Sequence, residues 1–467
     1  MTVAPKAKGR VLPTMNEDGS RRWVRPKPSD GTWFGRRQVV AYLLMVVYLA
    51  IPHLRMNGKP IILLDAPHRE FTFFGYTFLP TDTLLFMLLL GILILLVFTF
   101  TALFGRVWCG WGCPQTVWME YLFRPLERLI EGGRVGSMNI DKSGGHFHPR
   151  RLLKYAVYFG LALVLAHTFL AYFVGVDALK VWVTRSPIEH PSSFAIMGVT
   201  TVLVFLDFSY FREQTCTIAC PYGRWQSVLL DKSSLIVAYD YNRGEPRMKG
   251  KDRTGAGACI DCGACVQTCP TGIDIRDGLQ MECIHCTQCI DACDQIMDSV
   301  QQPRGLIRYT SREILGGTAR HIVRPRTIAY PVALATLIGI FVWQLNTKAE
   351  ADITLLRSLD APFLEEADGR IRNQVRLRIA NRSGQARDYR ITVAGVDPAQ
   401  VIVPINPFPV RHNQTETTSL FVLLPREAFV NGQHEIRLTI SDGARFTEEF
   451  SYQLLGPGTG SPLPTSK

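Results

Sequence analysis

The sequence predicts a multi-domain chain: an α-helical membrane domain of about five spans, a cysteine-rich α+β segment inserted before the last span, and a C-terminal all-β sandwich of immunoglobulin type. Three observations carry this. Five long apolar runs, each without Lys, Arg or Glu, interrupt polar sequence. Eight of the 12 cysteines fall in two tight runs between Cys259 and Cys293. After residue 348 the pattern changes to short alternating runs separated by turns rich in Gly, Asn and Pro.

Composition agrees. A chain of 467 residues has room for two or three domains. A hydrophobic fraction of 47% beside a charged fraction of 19% fits membrane segments alternating with polar parts better than one soluble globule. The formal net charge of +11 does not indicate nucleic acid, because the basic residues lie largely beside the apolar runs, where membrane topology accounts for them.

Residues 1–37 read as a basic tail carrying Arg21, Arg22, Arg25, Lys27, Arg36 and Arg37, without the apolar core and cleavage site of a removable signal. The helical domain, 38–211, contains apolar runs at 39–52, 84–104, 155–176 and 194–211; a fifth run, 327–345, lies in a last span of 327–347. The second and third are long enough to cross about 30 Å of hydrocarbon, and the first and fourth need flanking residues. Basic residues mark the inner side. They crowd the tail, the loop holding Arg106, Arg124, Arg128, Arg134, Lys142, Arg150 and Arg151, and the segment 212–326, while the loops 55–82 and 177–193 carry fewer. Five spans then place the N-terminus and the cysteine-rich segment in the cytoplasm and the C-terminus in the periplasm. Thiolate-held redox centres also belong on a reducing side.

The inserted segment reads C-I-D-C-G-A-C-V-Q-T-C-P and then C-I-H-C-T-Q-C-I-D-A-C-D. Each run has the C-x2-C-x2-C-x3-C spacing of bacterial ferredoxins, in which three thiolates come from one loop and the fourth ligates the other cluster. Cys259, Cys262, Cys265 and Cys293 are therefore assigned to one [4Fe-4S] cluster, and Cys283, Cys286, Cys289 and Cys269 to a second, in a domain of about 250–300. Structural zinc needs only four such residues at longer spacing, and a disulfide framework does not need this density. Pro270 follows the first run as the pattern asks; Asp294 takes that place in the second.

Four cysteines remain, in two C-x3-C-P motifs after the second and fourth spans: Cys109 and Cys113, then Cys216 and Cys220. Each pair fits one helical face at i and i+4, and each following proline can start a new helix. Both motifs fall at the inner membrane surface. Four thiols converging there suit a soft metal, above all Cu(I), or another iron–sulfur centre, or dithiol–disulfide cycling; buried packing cysteines are the plain alternative. His53 and His167 lie at or in spans but show no paired pattern, so haem is left out. Asp207 in the fourth span is an intramembrane ionisable group and a candidate for function. His146 and His148 read as solvated residues of a basic loop.

The sandwich is placed at 348–456, with strands at 374–380, 389–393, 418–424 and 435–440, and a disordered tail follows at 457–467. It has no catalytic constellation, and domains of this kind bind or scaffold.

With these pieces the chain resembles the cytochrome c oxidase accessory protein family called CcoG, also FixG or RdxA. The likeness covers nearly its whole length. It includes the basic N-terminus, the stretch L-D-A-P-H-R-E-F-T-F-F-G at 64–75, both C-x3-C-P motifs, the ferredoxin segment and the closing domain. Asp294 in place of proline matches the family's usual pattern. The resemblance implies a bacterial inner-membrane protein acting in biogenesis of cbb-type cytochrome c oxidase by reducing Cu(II) to Cu(I) before copper delivery. Electrons from a donor the sequence does not name would reach copper at Cys109, Cys113, Cys216 and Cys220 by way of the clusters. Copper-delivery or oxidase-assembly proteins are then the expected partners. Two other readings stand beside it: a quinol-oxidising electron-transfer module, and a non-enzymatic copper chaperone or assembly scaffold.

Overall fold

Each of the five apolar runs extends at its polar end into a longer helix. The computed structural model describes residues 13–457 except 17, 57, 68–69, 79–81, 144, 251–252, 348–349, 358–360, 384, 412–413 and 445. The start of the basic tail, two residues of the 64–75 stretch and nearly all of the C-terminal tail lie outside the described residues. The chain divides into two units, Met1–Phe341 and Val342–Lys467.

The long apolar helices of the first unit run Thr32–His53, Thr83–Phe104, Pro149–Val174 and Pro191–Phe211, and a fifth covers Pro325–Asn346. The shortest has 21 residues, which at helical rise is about 31 Å, enough to cross the hydrocarbon. Three of the five begin at proline, a residue suited to the first helical turn. Arg150, Arg151 and Lys154 occupy the first turns of the third helix, ahead of the apolar run read from sequence.

The basic tail is not a free tail where it is described. The helix starting at Thr32 follows Gly31 and has no capping side chain of its own. Its orphan donors are met instead by Asp291 of the inserted segment, which accepts from Trp33 N at 3.2 Å and Phe34 N at 2.7 Å. A Cβ at Gly31 would fall 2.2 Å from the Asp291 Cγ, so only glycine lets the carboxylate approach. Lys27 N donates to Gln267 O, and Thr268 Oγ1 donates to Lys27 O at 2.8 Å. The tail straps the cysteine-rich segment to the first span.

Two connections have structure that hydropathy does not reveal. Between the first two spans lies a three-stranded antiparallel sheet, Ile62–Asp65, Glu70–Phe73 and Tyr76–Phe78. Between the second and third lie Pro114–Trp118, a π-helical turn Met119–Phe123, Arg124–Glu131 and Gly133–Ser143. These helices carry a buried ionic network. Arg212 Nη1 and Nη2 donate to Glu127 at 3.0 and 2.5 Å, and Lys154 Nζ lies 2.7 Å from Glu131. Arg124 pairs with Glu120 and with Glu213 at 3.0 Å, and also donates to Pro270 O at 3.2 Å. Gln288 Nε2 donates to Glu120 at 3.3 Å. The inserted segment is thus fastened to the ends of the spans by buried, paired charges.

The folded segment around the eight cysteines is wider than 250–300. Ile236–Tyr239 pairs antiparallel with Ile307–Thr310, and this ribbon closes the segment at both ends. Cys293 lies inside the helix Gln288–Ser299. Asp294 continues that helix, where proline would remove a backbone donor, and its Oδ1 accepts from Gly305 N at 2.9 Å.

The second unit is a two-sheet antiparallel sandwich. One sheet is built on Arg370–Asn381 between Thr415–Pro425 and Ala351–Arg357; the other joins Phe408–Val410, Arg387–Ala394, Gln433–Ser441 and Thr447–Leu455. The alternation read from sequence puts Ile371, Val375, Leu377 and Ile379 of one sheet against Ile391, Ile436, Leu438 and Ile440 of the other in one buried core.

Candidate metal centres

The two cysteine runs fold alike. In each C-I-x-C turn the third residue is left-handed, Asp261 at φ 51 and His285 at φ 55, and so is the residue after the second cysteine, Gly263 at φ 69 and Thr287 at φ 63. Non-glycine residues held there mark backbone wrapped round something. The wrapping produces two cysteine-lined cavities. One is lined by Cys259, Cys262, Cys265 and Cys293 with Tyr239, Leu306 and Ile307. The other is lined by Cys269, Cys283, Cys286 and Cys289, with Cys265 at its edge and Val237, Ile273, Ile275 and Ile284 around them.

This donor set fits cubane clusters. Among the described residues no three His, Cys, Asp or Glu side chains converge at the spacing of a single ion, as a structural zinc would require. Backbone N–H groups serve the sulfurs: those of Thr271, Gly272 and Ile273 point to Cys269, that of His285 to Cys283, that of Gln288 to Cys286 and that of Ile307 to Cys293. Such bonds stabilise charge on sulfur and set cluster potentials. Burial pushes the free thiols of Cys265, Cys283 and Cys293 up to about 12, so ligation must displace protons. Cys262 alone of the twelve cysteines is exposed.

The C-x3-C-P cysteines do not lie on continuous helices, contrary to the i, i+4 expectation. Cys109 sits in the short helix Val107–Trp111, whereas Cys113 is extended, with ψ 127, and precedes the helix Pro114–Trp118. Cys216 lies in a π-helical turn, Thr215–Ala219, and Cys220 is extended before Pro221–Leu229. The physical reason is the proline. It starts a new helix at its own position and holds the preceding cysteine out of helical geometry. The break leaves Cys216 within electrostatic reach of Cys109, Cys113, Cys220 and Asp207, although these thiols too are not drawn in to the spacing of a single ion. Burial pushes the Cys109 thiol up to about 11 and raises Cys113 and Cys216 as well. Cys109 Sγ donates to Gln226 Oε1 at 3.0 Å, and Gln226 Nε2 donates to Thr101 Oγ1 at 3.2 Å and Tyr222 OH at 2.5 Å. Asp207 accepts from Gln115 Nε2 at 3.2 Å and from Thr215 Oγ1. His167 bonds within its own helix, to Leu163 O, and His53 lies at the end of the first helix.

The two kinds of cysteine meet. Cys109 packs against Ile284 and Cys286 in one small apolar cluster beside Tyr222. Gly110 touches the same loop, since a Cβ there would lie 2.9 Å from the Cys286 Cα. Five residues that sequence reasoning missed hold this contact: Arg37, Arg106, Trp111, His285 and Tyr309. Fully buried Arg37 donates from Nε to Gly110 O at 3.0 Å, and its Nη1 and Nη2 have no protein partner among the described residues. Arg106 N donates to His285 Nδ1 at 3.3 Å. Burial and the Arg106 cation lower the His285 ring to about 3, which keeps it neutral. Trp111 Nε1 donates to Tyr309 OH at 3.2 Å, and that hydroxyl donates to His285 O at 3.2 Å. Arg37 and Arg106 read in sequence as topological charges; only their burial singles them out.

Comparison with known proteins places this geometry. A family model described as a 4Fe-4S dicluster domain matches residues 211–312, a 4Fe-4S binding domain matches 84–131, and the Ig-like fold at the C-terminus of FixG matches 341–457. The chain is 35% identical to protein RdxA of Cereibacter sphaeroides over 86% of its own length and 89% of that protein. It is 34% identical to protein RdxB of the same organism over the same shares. To the nitrogen fixation protein FixG of Rhizobium meliloti it is 29% identical over 90% of each chain. Iron–sulfur clusters are what the cysteine segments hold.

Proposed function

Because the chain belongs to the FixG/RdxA family of iron–sulfur proteins, we propose that it transfers electrons to copper, reducing Cu(II) to Cu(I) at Cys109, Cys113, Cys216 and Cys220. The two [4Fe-4S] clusters supply one-electron carriers of low potential. Cys259, Cys262, Cys265 and Cys293 hold one; Cys269, Cys283, Cys286 and Cys289 hold the other. The observation that supports the reading above all is the packing of Cys109 against Cys286, which puts one of the four thiols against a ligand of the second cluster. The exposed Cys262 marks the opposite end of the series, where a one-electron donor has access.

The four thiols do the selecting. Thiolates hold Cu(I) better than Cu(II), so one electron arriving at bound Cu(II) is favoured and no bond to carbon forms or breaks. The ion displaces the thiol protons on binding. Basic flanks support a cytoplasmic cluster side and a periplasmic sandwich in a bacterial inner membrane. Copper released as Cu(I) would serve a cbb-type haem–copper oxidase, with copper-delivery or oxidase-assembly proteins as partners.

The test uses anaerobic full-length protein reduced with dithionite, freed of excess reductant and given Cu(II). Cu(I) should appear in step with loss of the reduced-cluster spectrum, one ion per electron. The C109S/C113S/C216S/C220S variant should keep its clusters and lose the reaction. Equal rates in both proteins would sink the proposal, because copper would then be stripping electrons from exposed clusters.

A second reading has one specific observation in its favour. The 4Fe-4S binding-domain match at 84–131 includes Cys109 and Cys113, so the four thiols are also candidates for a further iron–sulfur centre. Iron in excess of two clusters, lost in the four-serine variant, would establish it.

Arg37 gives a separate prediction. Its buried cation acts on the Cys286 thiolate. Arg37→Gln should lower the midpoint potential of the second cluster, making its reduction at least tenfold less favourable, about 59 mV for one electron. Arg37→Lys should restore most of it. A potentiometric titration followed by electron paramagnetic resonance would detect the shift in one cluster only.

A further inference from the structure

A cationic cavity of about 240 Å³ lies beside the ionic network, lined by Arg25, Lys27, Arg124, Arg128, Arg134 and Arg212 with Glu127 as the single acid. It is independent of the copper reading. Three of these cations are spoken for: Arg124 by Glu120 and Glu213, Arg212 by Glu127, and Arg25 by Asp141 at 2.5 Å. Lys27, Arg128 and Arg134 have no carboxylate partner among the described residues; the polar contact of Arg134 is Gln267 Oε1 at 3.5 Å. Like charges gathered without counter-charge call for an anion.

The position of the cavity says which anion. Lys27 lies just before the first span, Arg212 immediately after the fourth, and the helices Arg124–Glu131 and Gly133–Ser143 join the second to the third. These span ends all lie on one side, so the cavity stands at the membrane–water boundary. At that boundary the abundant anion is a lipid phosphate, whose acyl chains stay in the hydrocarbon while the phosphate meets the cations.

We infer that this cavity binds the phosphate headgroup of an anionic phospholipid. The site also bears on the iron–sulfur segment, because Lys27 N and Arg134 both bond Gln267, two residues before Cys269.

The experiment uses delipidated full-length protein in uncharged detergent, offered palmitoyl-oleoyl phosphatidylglycerol, the matching phosphatidylcholine, or inorganic phosphate, with retained lipid counted by native mass spectrometry. Phosphatidylglycerol should be retained and phosphatidylcholine not. The K27Q/R128Q/R134Q variant, checked for intact cluster absorbance, should hold phosphatidylglycerol at least about tenfold more weakly, as loss of three surface cations requires. Equal retention of the two lipids, or undiminished retention by the variant, would overturn the site. Displacement of the lipid by inorganic phosphate at millimolar concentration would overturn the lipid assignment and leave a free-phosphate site.

Discussion

Glu127→Gln is expected to destabilise the helical unit by about 3–5 kcal/mol, because it removes one partner of a buried ion pair and strands the other. Glu127 accepts both Nη groups of Arg212 and faces Lys154 at 3.4 Å, with Arg124 also acting on it. Burial alone would raise its carboxyl; the three cations outweigh burial and hold it at about 2, against an ordinary 4.5. That depression carries a pH dependence. The folded-state value lies below the unfolded one, so its stabilisation is complete above about 4.5 and is lost as pH falls through about 2. At 1.36 kcal/mol per unit the depression corresponds to about 3 kcal/mol, which agrees with the cost of breaking such a pair. Titration with sodium dodecyl sulfate, followed by circular dichroism at pH 7 and pH 3, would measure both. The wild-type protein should weaken toward pH 3 and approach the variant; a variant as stable as wild type at pH 7 would show that the pair contributes nothing net.

That network also marks the limit of what the sequence discloses. The spans were legible because hydrocarbon imposes a long run without ionised groups, and the sandwich because alternation has period two. The cluster cysteines were legible because a cubane demands its thiolates at short fixed intervals. Nothing comparable announces Glu127, Arg212 or Glu213: each is an ordinary charge in a basic loop until the fold buries it against a partner distant in sequence. The basic tail was read for its charge, whereas Gly31 and Lys27 act through backbone contacts with Asp291 and Gln267 that composition cannot encode. The C-x3-C-P motifs were found by their residues but misjudged in conformation, since the i, i+4 rule ignores the proline that ends the turn. The π-helical turns at Met119–Phe123 and Thr215–Ala219 leave no mark in hydropathy at all.

The contact between the two cysteine sets rests on one glycine, and Gly110→Ala tests it. A Cβ at Gly110 would lie 2.6 Å from the Ile284 carbonyl oxygen and 2.9 Å from both the His285 oxygen and the Cys286 Cα. All three are backbone atoms, so no side chain can swing aside. Retreat is the one relief, and it strains the bond from Arg37 to the Gly110 carbonyl and the Trp111–Tyr309–His285 hydrogen bonds that tie the same two segments. The helix Val107–Trp111 must therefore shift away from the cysteine loop, carrying Cys109 with it. Clusters should still assemble, since none of their eight ligands moves in sequence or spacing. Cu(I) formation should slow by about 100-fold, the scale on which displacement by about 1 Å degrades a positioned reaction. Gly160→Ala, in the third span with nothing within 4 Å of its added Cβ, is the matched control and should behave as wild type. Stopped-flow bleaching after addition of Cu(II) gives the rate, and visible absorbance before addition gives the cluster content. Full cluster content with an unchanged rate would show that electrons leave the segment elsewhere, which removes the meeting of Cys109 and Cys286 as the support for copper reduction and turns attention to the exposed edge at Cys262.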